Sequence, residues 1–481
     1  MRYLIKIHIL VSALIMVPLI SGCATFQPKP LSPSDTASAF EARRLDDHGL
    51  KEFMEKNLHR EIIPWPPKSW DFTMLTLAAF YYHPDMDIAR AKWGVARAGV
   101  ITAGGRPNPT FGFTPQYNAD AANGVSPWTL GFTFDIPIET AGKRGYRIAQ
   151  AQHLSEAARL NIASVTWQVR SRLRKSLLNL YKAKQTEAIL QQQQIIQEEM
   201  VKLLEQRLAL GEVSQPDVTQ AHISLSHTYL NLREVQKQIA EGHVQLADAI
   251  GLPAGALNNI PVSFDFLKQL PAVKDIPLQD VRRQALLNRP DILAALSEYA
   301  AVESSLQLEI AKQYPDIHLG PGYSWDQGTN KWSFGFSISL PILNRNQGPI
   351  AEAEARRKEA ESRLIAIQSG IIGEIDRAFA GYISALKKLE TADSLLSTQE
   401  RQNQSIQAMF NAGEADRLML LDNKLEIYST ALMRLDAFVD TQRFLGLIED
   451  AVQRPLEPLK PFLNVPVMNP RTGEAGKNES Q

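Results

Sequence analysis

Two stretches of strict alternation constrain this chain more than anything else in it. Trp128, Leu130, Phe132, Phe134 and Ile136 alternate with Thr129, Gly131, Thr133 and Asp135. In the second half Trp332, Phe334, Phe336, Ile338 and Leu340 alternate with Ser333, Gly335, Ser337 and Ser339. Shorter partner runs precede them, with Phe111, Phe113 and Tyr117 before the first and Ile317, Leu319, Tyr323 and Trp325 before the second. Alternation at period two builds a strand with one greasy face and one small, polar face. A water-soluble fold has to cover the greasy face, yet the chain holds no further strand-like runs to complete a sandwich. A transmembrane barrel resolves the pattern differently: aromatic and aliphatic side chains face lipid while Gly, Ser and Thr face a watery lumen. Runs of about ten residues suit a spanning strand. Four strands do not close around an open lumen, and bare strand edges do not survive in hydrocarbon. Each chain is therefore expected to supply a share of a larger barrel. Three copies would make a ring of about twelve strands, and closed rotational symmetry favours such rings; the pattern alone leaves the number open.

The strands sit inside a long internal repeat. His83-Pro84-Asp85, Pro107-Asn108-Pro109 and the first alternating run are echoed by Arg289-Pro290-Asp291, Tyr314-Pro315-Asp316 and the second. Downstream, Arg207-Leu208-Ala209-Leu210-Gly211-Glu212 is echoed by Met409-Phe410-Asn411-Ala412-Gly413-Glu414. A repeat of this length is a duplicated domain-sized unit rather than a short solenoid motif. The first unit is placed at 72–250, with strands within 110–137, and the second at 278–450, with strands within 316–341. A proline-punctuated linker, 251–277, joins them. Residues 451–481 read as a polar tail expected to be disordered.

Each unit also predicts a long helical hairpin. No proline falls between Gly145 and Leu210, which at 1.5 Å per residue implies a helix of roughly 100 Å. A turn at Gly211 to Pro216 leads into a return helix ending near Ile250. The second unit repeats the order: a helix at 278–312, the strand pair, a helix at 349–411, a turn at Gly413 and a helix at 415–450. Val218, Leu225, Leu232, Ile239 and Leu246 recur every seventh residue. Leu418, Leu421, Leu425, Tyr428, Leu432, Leu435 and Val439 step by three and four, as do Ile372, Ile375, Phe379, Tyr382, Leu386 and Leu389. A sustained period of about 3.5 means supercoiled packing against partner helices. The fold class that follows mixes α and β: long coiled-coil hairpins plus a four-stranded share of a transmembrane barrel.

The N-terminus is a targeting segment. Arg2 and Lys6 precede an apolar core, Ile7 to Ile20, that is short for a spanning helix. It ends in Leu19-Ile20-Ser21-Gly22-Cys23, which resembles a bacterial lipobox, so residues 1–22 are expected to be removed and Cys23 to carry lipid, palmitate included. Ala24, rather than an aspartate, follows, which resembles sorting to the outer membrane. Cys23 is the sole cysteine of the 481-residue chain, so it makes neither an intramolecular disulfide nor a Cys-based metal site. Residues 23–71, rich in Pro and Ser, read as an extended, lipidated leader.

These residues together resemble the TolC-type outer-membrane efflux family across essentially the whole mature length. The resemblance lies in the duplication, the two strand pairs, the two hairpins and their Gly-containing turns. Gly211-Glu212-Val213-Ser214-Gln215-Pro216-Asp217-Val218 is similar to the family's hairpin tip. The second tip departs from it, with Met419 where the first has Asp217. Pro137-Ile138-Glu139-Thr140-Ala141-Gly142-Lys143-Arg144-Gly145, running into Arg147-Ile148-Ala149-Gln150-Ala151, is similar to the heavy-metal-efflux, CzcC-like branch. The resemblance implies a homotrimer with a periplasmic helical tunnel, docked to a periplasmic adaptor (membrane fusion) protein and an inner-membrane pump of RND type. It places adaptor docking at Leu210, Gly211, Glu212, Val213, Ala412, Gly413, Glu414 and Ala415. Asp416, Arg417 and Asp422 are candidates for the aperture, where like charges ringed by symmetry select ions and salt links hold a gate shut; solvated helix-end charges are the plainer reading. Trp128, Leu130, Phe132, Phe134, Trp332, Phe334, Phe336 and Ile338 are expected to meet outer-membrane lipid.

Other chemistry is not indicated. A net charge of −1 leaves no electrostatic footprint for nucleic acid. His222 and His227 are five residues apart on one helix, poorly placed to share a metal, and no zinc, phosphate-loop or nucleophile motif occurs. No metal site, no cofactor and no catalytic residue is expected. Three functions remain open at this point: an efflux conduit for heavy-metal cations, the same conduit exporting drugs or polypeptides, and a structural periplasmic coiled-coil lipoprotein without a pore.

Overall fold

The computed structural model describes residues 24–122 and 124–456. The expected signal peptide, Cys23, Asn123 and most of the 451–481 tail lie outside the described residues. Residues up to Arg43 form a unit of their own, and the rest of the chain forms a second. In the first, helix α1 (Pro33–Glu41) starts on Ser32, whose Oγ accepts the Asp35 N–H at 3.4 Å. Pro33 sits in its first turn, where a missing N–H costs nothing.

The second unit opens on α2 (His48–Leu58), capped by Asp47, whose carboxylate accepts the Leu50 N–H at 2.9 Å. Leu50, Phe53 and Met54 of α2 are buried in the core. The expectation of an extended leader over 23–71 is therefore corrected. Its prolines suggested punctuation, but Pro33 starts a helix, and the spacing Leu50, Phe53, Met54 places three side chains on one helix face. Next come α3 (Phe72–Tyr82) and α4 (Pro84–Ala103), then β1 (Thr110–Tyr117) and β2 (Trp128–Ile138). The first hairpin is α5 (Lys143–Ala209) and α6 (Gln215–Ile250).

Residues 251–277 contain three short 3-10 turns and are not a bare linker. Trp70 N–H donates to the Pro261 carbonyl and the Ser263 N–H to the Trp70 carbonyl, both at 2.9 Å. Leu257 and Leu267 are buried. The second repeat follows as α7 (Leu278–Asn288), α8 (Pro290–Ala311), β3 (Ile317–Asp326), β4 (Thr329–Ile338), α9 (Gln347–Asn411) and α10 (Arg417–Val452). The single helix expected over 278–312 is thus two. Arg289 takes extended backbone, φ −63° and ψ 131°, because the ring of Pro290 disfavours the helical region for the residue before it. His83 before Pro84 does the same, with φ −68° and ψ 126°.

The repeats match in length. α5 and α9 run for 67 and 65 residues, and α6 and α10 for 36 each. Helix α5 packs along α6, α4, α8 and α10, while α9 packs along α10 and α8. The heptad on α6 points inward: Val218, Leu225, Leu232 and Leu246 are buried and Ile239 partly so. On α9 the seam keeps Ile375, Tyr382 and Leu389 of the expected stripe and takes Ile371, Ala378 and Ala385 in place of the other three. Phe379 and Leu386 flank it, and Ile372 is exposed. Alanines at the seam let helices approach closely, a feature that hydrophobic size alone does not reveal. Gly381 extends this: a Cβ there would run into the Phe444 ring of α10.

Buried polar groups tie the repeats together about halfway along the long helices. Arg174 of α5 donates to the Gln442 carbonyl at 3.2 Å and to its Oε1 at 3.1 Å. Gln442 Nε2 donates in turn to the Leu267 carbonyl at 2.6 Å. Trp167 Nε1 and Ser171 Oγ donate to Asp450 at 2.8 and 2.6 Å.

Gly251, at the end of α6, has φ +85°, and a Cβ there would meet the Tyr82 carbonyl oxygen and His83 Cα at 2.8 Å. Gly413 has φ +79° but open space around it. Gly251→Ala is expected to lower stability by roughly 2–4 kcal/mol, against about 1 kcal/mol for Gly413→Ala, where only the left-handed backbone is strained. Denaturant midpoints of the two purified variants check the ordering.

Candidate functional site

The sheet runs β1-β2-β3-β4, antiparallel throughout, and the β2–β3 pairing joins the two repeats into one surface. The β3–β4 turn uses Gln327 and Gly328, both at positive φ (47° and 96°), as a two-residue hairpin with right-handed strands requires. The register sorts every strand onto the same two faces. Phe111 is opposite Phe134, Phe113 opposite Phe132, and Tyr117 opposite Trp128. Phe132 then pairs with Tyr323, Tyr323 with Trp332, and Leu319 with Phe336. Rings meet across these pairs, Phe113 stacked on Phe132 at 5.0 Å and Tyr323 tilted against Trp332 at 4.8 Å between centroids. On the other face Gly112 is opposite Thr133, Thr133 opposite Gly322, Gly322 opposite Ser333, and Gly320 opposite Gly335.

Among the described residues no helix packs on this sheet. Trp332, Phe334 and Phe336 are 82%, 73% and 74% exposed, so the other described residues do not cover the apolar face. Trp128, Phe134 and Ile338 are exposed as well, while Leu130 and Phe132 are half-buried among neighbouring side chains. Among the described residues the outer edges of β1 and β4 are unpaired. Among the described residues no helix is long and apolar enough to cross a membrane.

At the far ends of the hairpins both turns close the same way. Gly211 donates its N–H to the Leu208 carbonyl at 3.0 Å and Glu212 to that of Arg207 at 2.9 Å. Gly413 and Glu414 repeat this on Phe410 and Met409 at 3.0 and 2.9 Å. The glycines take φ +74° and +79°, the left-handed step that lets the last carbonyls be satisfied. Leu210, Gly211, Glu212, Ala412, Gly413 and Glu414 are exposed; Val213 and Ala415 are half-buried.

The helices restart differently. Ser214 caps α6, its N–H and Oγ both donating to Asp217 Oδ2 at 3.0 and 2.6 Å, which holds that carboxyl below its ordinary value. In the second tip Met419 replaces the aspartate, and the capping carboxylate is Asp416 itself. It accepts from the Leu418 N–H at 3.4 Å and is gripped by Arg207 of the first tip, Nη1 to Oδ2 at 2.7 Å. Arg207 pulls the Asp416 carboxyl down from the ordinary 3.8. Arg417 donates through Nε to Glu199 of α5 at 2.7 Å and lies over the Phe410 ring. Two of the aperture candidates therefore bind within their own chain, across the two hairpins. Asp422 stands apart. It has no ionic partner among the described residues, and partial burial pushes its carboxyl up.

Glu199 and Arg207 were not singled out from the sequence. Their signal was faint: Arg207 lies one turn before the tip glycine, and Glu199 is one charge among many on a long helix. Among the described residues no cluster of three or more His, Cys, Asp and Glu converges on a metal-sized gap. His222 pairs with Glu205 at 3.0 Å instead.

The profile of the family described as outer membrane efflux protein matches residues 79–252 and 281–441, one block in each repeat. The chain belongs to that family. This outer membrane efflux protein is thus a passive channel component and not an enzyme. It is similar to the cobalt-zinc-cadmium resistance protein CzcC of Cupriavidus metallidurans, 23% identical over 66% of this chain and 76% of the relative. It is likewise similar to the pyoverdine export outer membrane protein OpmQ of Pseudomonas aeruginosa, 23% identical over 75% of this chain and 82% of OpmQ. The cation efflux system protein CusC of Escherichia coli is 24% identical over 48% of this chain and 52% of its own length. Solved structures share the fold: the outer-membrane channel OprN has a TM-score of 0.65 at 19% identity, over 90% of this chain and all of that one. A CusC structure has a TM-score of 0.63 at 18% identity, over 89% of this chain and 99% of that one. The four-stranded sheet is a share of the barrel of a TolC-type channel, set in the outer membrane with its helical hairpins in the periplasm.

Placing charge on the apolar face of the sheet tests this directly. Phe334→Arg, opposite Pro321 near the middle of β4, is expected to cost about 2–4 kcal/mol per protomer at mid-membrane depth. The assembled fraction recovered from outer membranes reads the loss; normal assembly would overturn the lipid-facing assignment.

Proposed function

We propose that this outer membrane efflux protein is the exit duct of a tripartite system exporting divalent heavy-metal cations, fed by a periplasmic adaptor and an inner-membrane pump of RND type. The observation that carries the duct is the two-sided sheet with bare edges. The β1 and β4 edges hold unpaired backbone groups that hydrocarbon does not satisfy, and another copy of the same sheet satisfies them best. A homotrimer, with about twelve strands, gives a ring wide enough to hold water. Metal cargo is supported by the likeness to the cobalt-zinc-cadmium resistance protein and to CusC, and by the Pro137–Ala151 segment. A drug or siderophore cargo is the second reading, favoured by the longer match to the pyoverdine exporter. Deleting the gene should sensitise cells to cobalt, zinc or cadmium while leaving tolerance of organic drugs unchanged; the reverse pattern selects the second reading.

The tips are the docking surface for the adaptor in this reading. Leu210 is 74% exposed there, an apolar side chain left largely uncovered by the described residues. Glu212, Val213, Glu414 and Ala415 complete the rim around Gly211, Ala412 and Gly413. Cys23, in the mature chain, carries the lipid anchor.

Closure rests on the cross-hairpin links Arg207–Asp416 and Arg417–Glu199, with the separate carboxylate of Asp422 as a further contributor. Both links are exposed, so each is weak enough to be exchanged when an adaptor binds. A depressed carboxyl pKa puts the Arg207–Asp416 link in full force above the ordinary value of 3.8. The link is lost only as pH falls through the lowered one, so closure should hold through neutral and mildly acidic medium. Arg417→Ala should raise the resting single-channel conductance of the purified protein severalfold, and Asp422→Ala should raise it less. Resting currents equal to the parent's in both variants would remove these residues from the gate.

A further inference from the structure

The polar face of the sheet is lined through its middle by small uncharged side chains: Thr114, Gly131, Thr133, Gly322 and Ser333. Charge occurs at its two ends only. At the β3–β4 turn Asp326 is neutralised by Lys331, whose Nζ lies 2.5 Å away, and accepts from Thr129 Oγ1 at 2.8 Å. At the helix end Asp135 of β2 faces His318 of β3, with Nδ1 3.0 and 3.1 Å from the two carboxylate oxygens. Both side chains are open, 48% and 40% exposed. Just below the strands two permanent cations are bound to other carboxylates. Lys143 Nζ donates to Asp316 at 2.7 Å, and Arg147 grips Glu139. Asp135 is therefore the one carboxylate among the described residues of this face whose partner is not a fixed cation.

We infer that Asp135, held by His318, is the charge-selecting position of the barrel interior and favours cations over anions of the same size. The inference rests on the reading of this face as the lumen wall. Each copy in a closed ring presents one Asp135 at the same height, and like charges ringed around a pore concentrate counter-ions there. Gly320 and Gly335, beside the pair, add no side chain to shield it. The pair at the far end contributes no net charge, so selection occurs where cargo leaves the helical tunnel and enters the strands.

Ser337 of β4, opposite His318 on the same face, is the place for a reporter. In the full-length, assembled protein carrying Ser337→Cys, the rates of thiol modification by a cationic and an anionic methanethiosulfonate of similar size are compared. The cationic reagent should react faster. Adding D135N, or H318K, which fixes a positive charge beside the carboxylate, should reduce that preference by roughly threefold or more. The neutral double change D326N/K331Q should leave it unaltered. A preference that survives both D135N and H318K would overturn the inference while leaving the lumen reading intact. A thiol at position 337 that neither water-borne reagent reaches would overturn the lumen reading, and the inference with it.

Discussion

Unpaired backbone in hydrocarbon is the constraint on which the rest of this structure turns. Water satisfies a free strand edge, whereas lipid does not, and each orphan N–H or C=O there costs several kcal/mol. The sheet of this chain is greasy on one face, polar on the other and open along β1 and β4. Those three properties conflict in a lone protomer and agree in a closed ring. Duplication is what makes the share wide enough to be useful. β2 of the first repeat pairs with β3 of the second, so the two hairpins become one surface with two free edges rather than two surfaces with four.

The helical part follows from where the strands leave it. Both repeats place a helix of similar length, 67 and 65 residues, directly after the second strand, and return it by 36 residues. Ties between the repeats change character along these helices. About halfway along they are buried: Arg174 on Gln442, and Trp167 and Ser171 on Asp450. At the tips they are solvent-facing ion pairs, Arg207 with Asp416 and Arg417 with Glu199. In between, the buried amide oxygens of Gln399 and Asn423 have no hydrogen-bond partner. Buried, satisfied networks rigidify, while exposed pairs are screened and exchangeable. The protomer is therefore stiffest at mid-length, where the return helices end, and most yielding at the tips.

Much of this was legible because it is periodic. Period two along Trp128–Ile136 and Trp332–Leu340, and period seven from Val218 to Leu246, report which face is apolar wherever the element is regular. Signals that depend on fit rather than pattern were not legible. The seam of α9 runs through Ala378 and Ala385 because small residues let helices approach, although Phe379 and Leu386 are greasier. The segment around Leu50, Phe53 and Met54 looked like leader because its flanking prolines outweighed a short helical pattern. Arg289 broke an expected helix through the ring of the next residue, a local effect that the run of apolar residues masked.

The tip and the barrel interior show the same division. That Gly211 and Gly413 turn the chain, and that Asp416 and Arg417 lie at the second turn, follows from the sequence alone. That Arg207 reaches Asp416 and Glu199 reaches Arg417, or that Asp135 faces His318, was decided by tertiary structure. Those partners lie far apart in the chain and meet only through helix packing and strand register. The sequence by itself determined the duplication, the two-faced strands and the long hairpins, because each is written in residues that are neighbours along the chain. Which charges pair was left to the fold, because a salt link depends on a few ångströms of separation, and a distance that small between remote residues exists only once the helices and strands are packed.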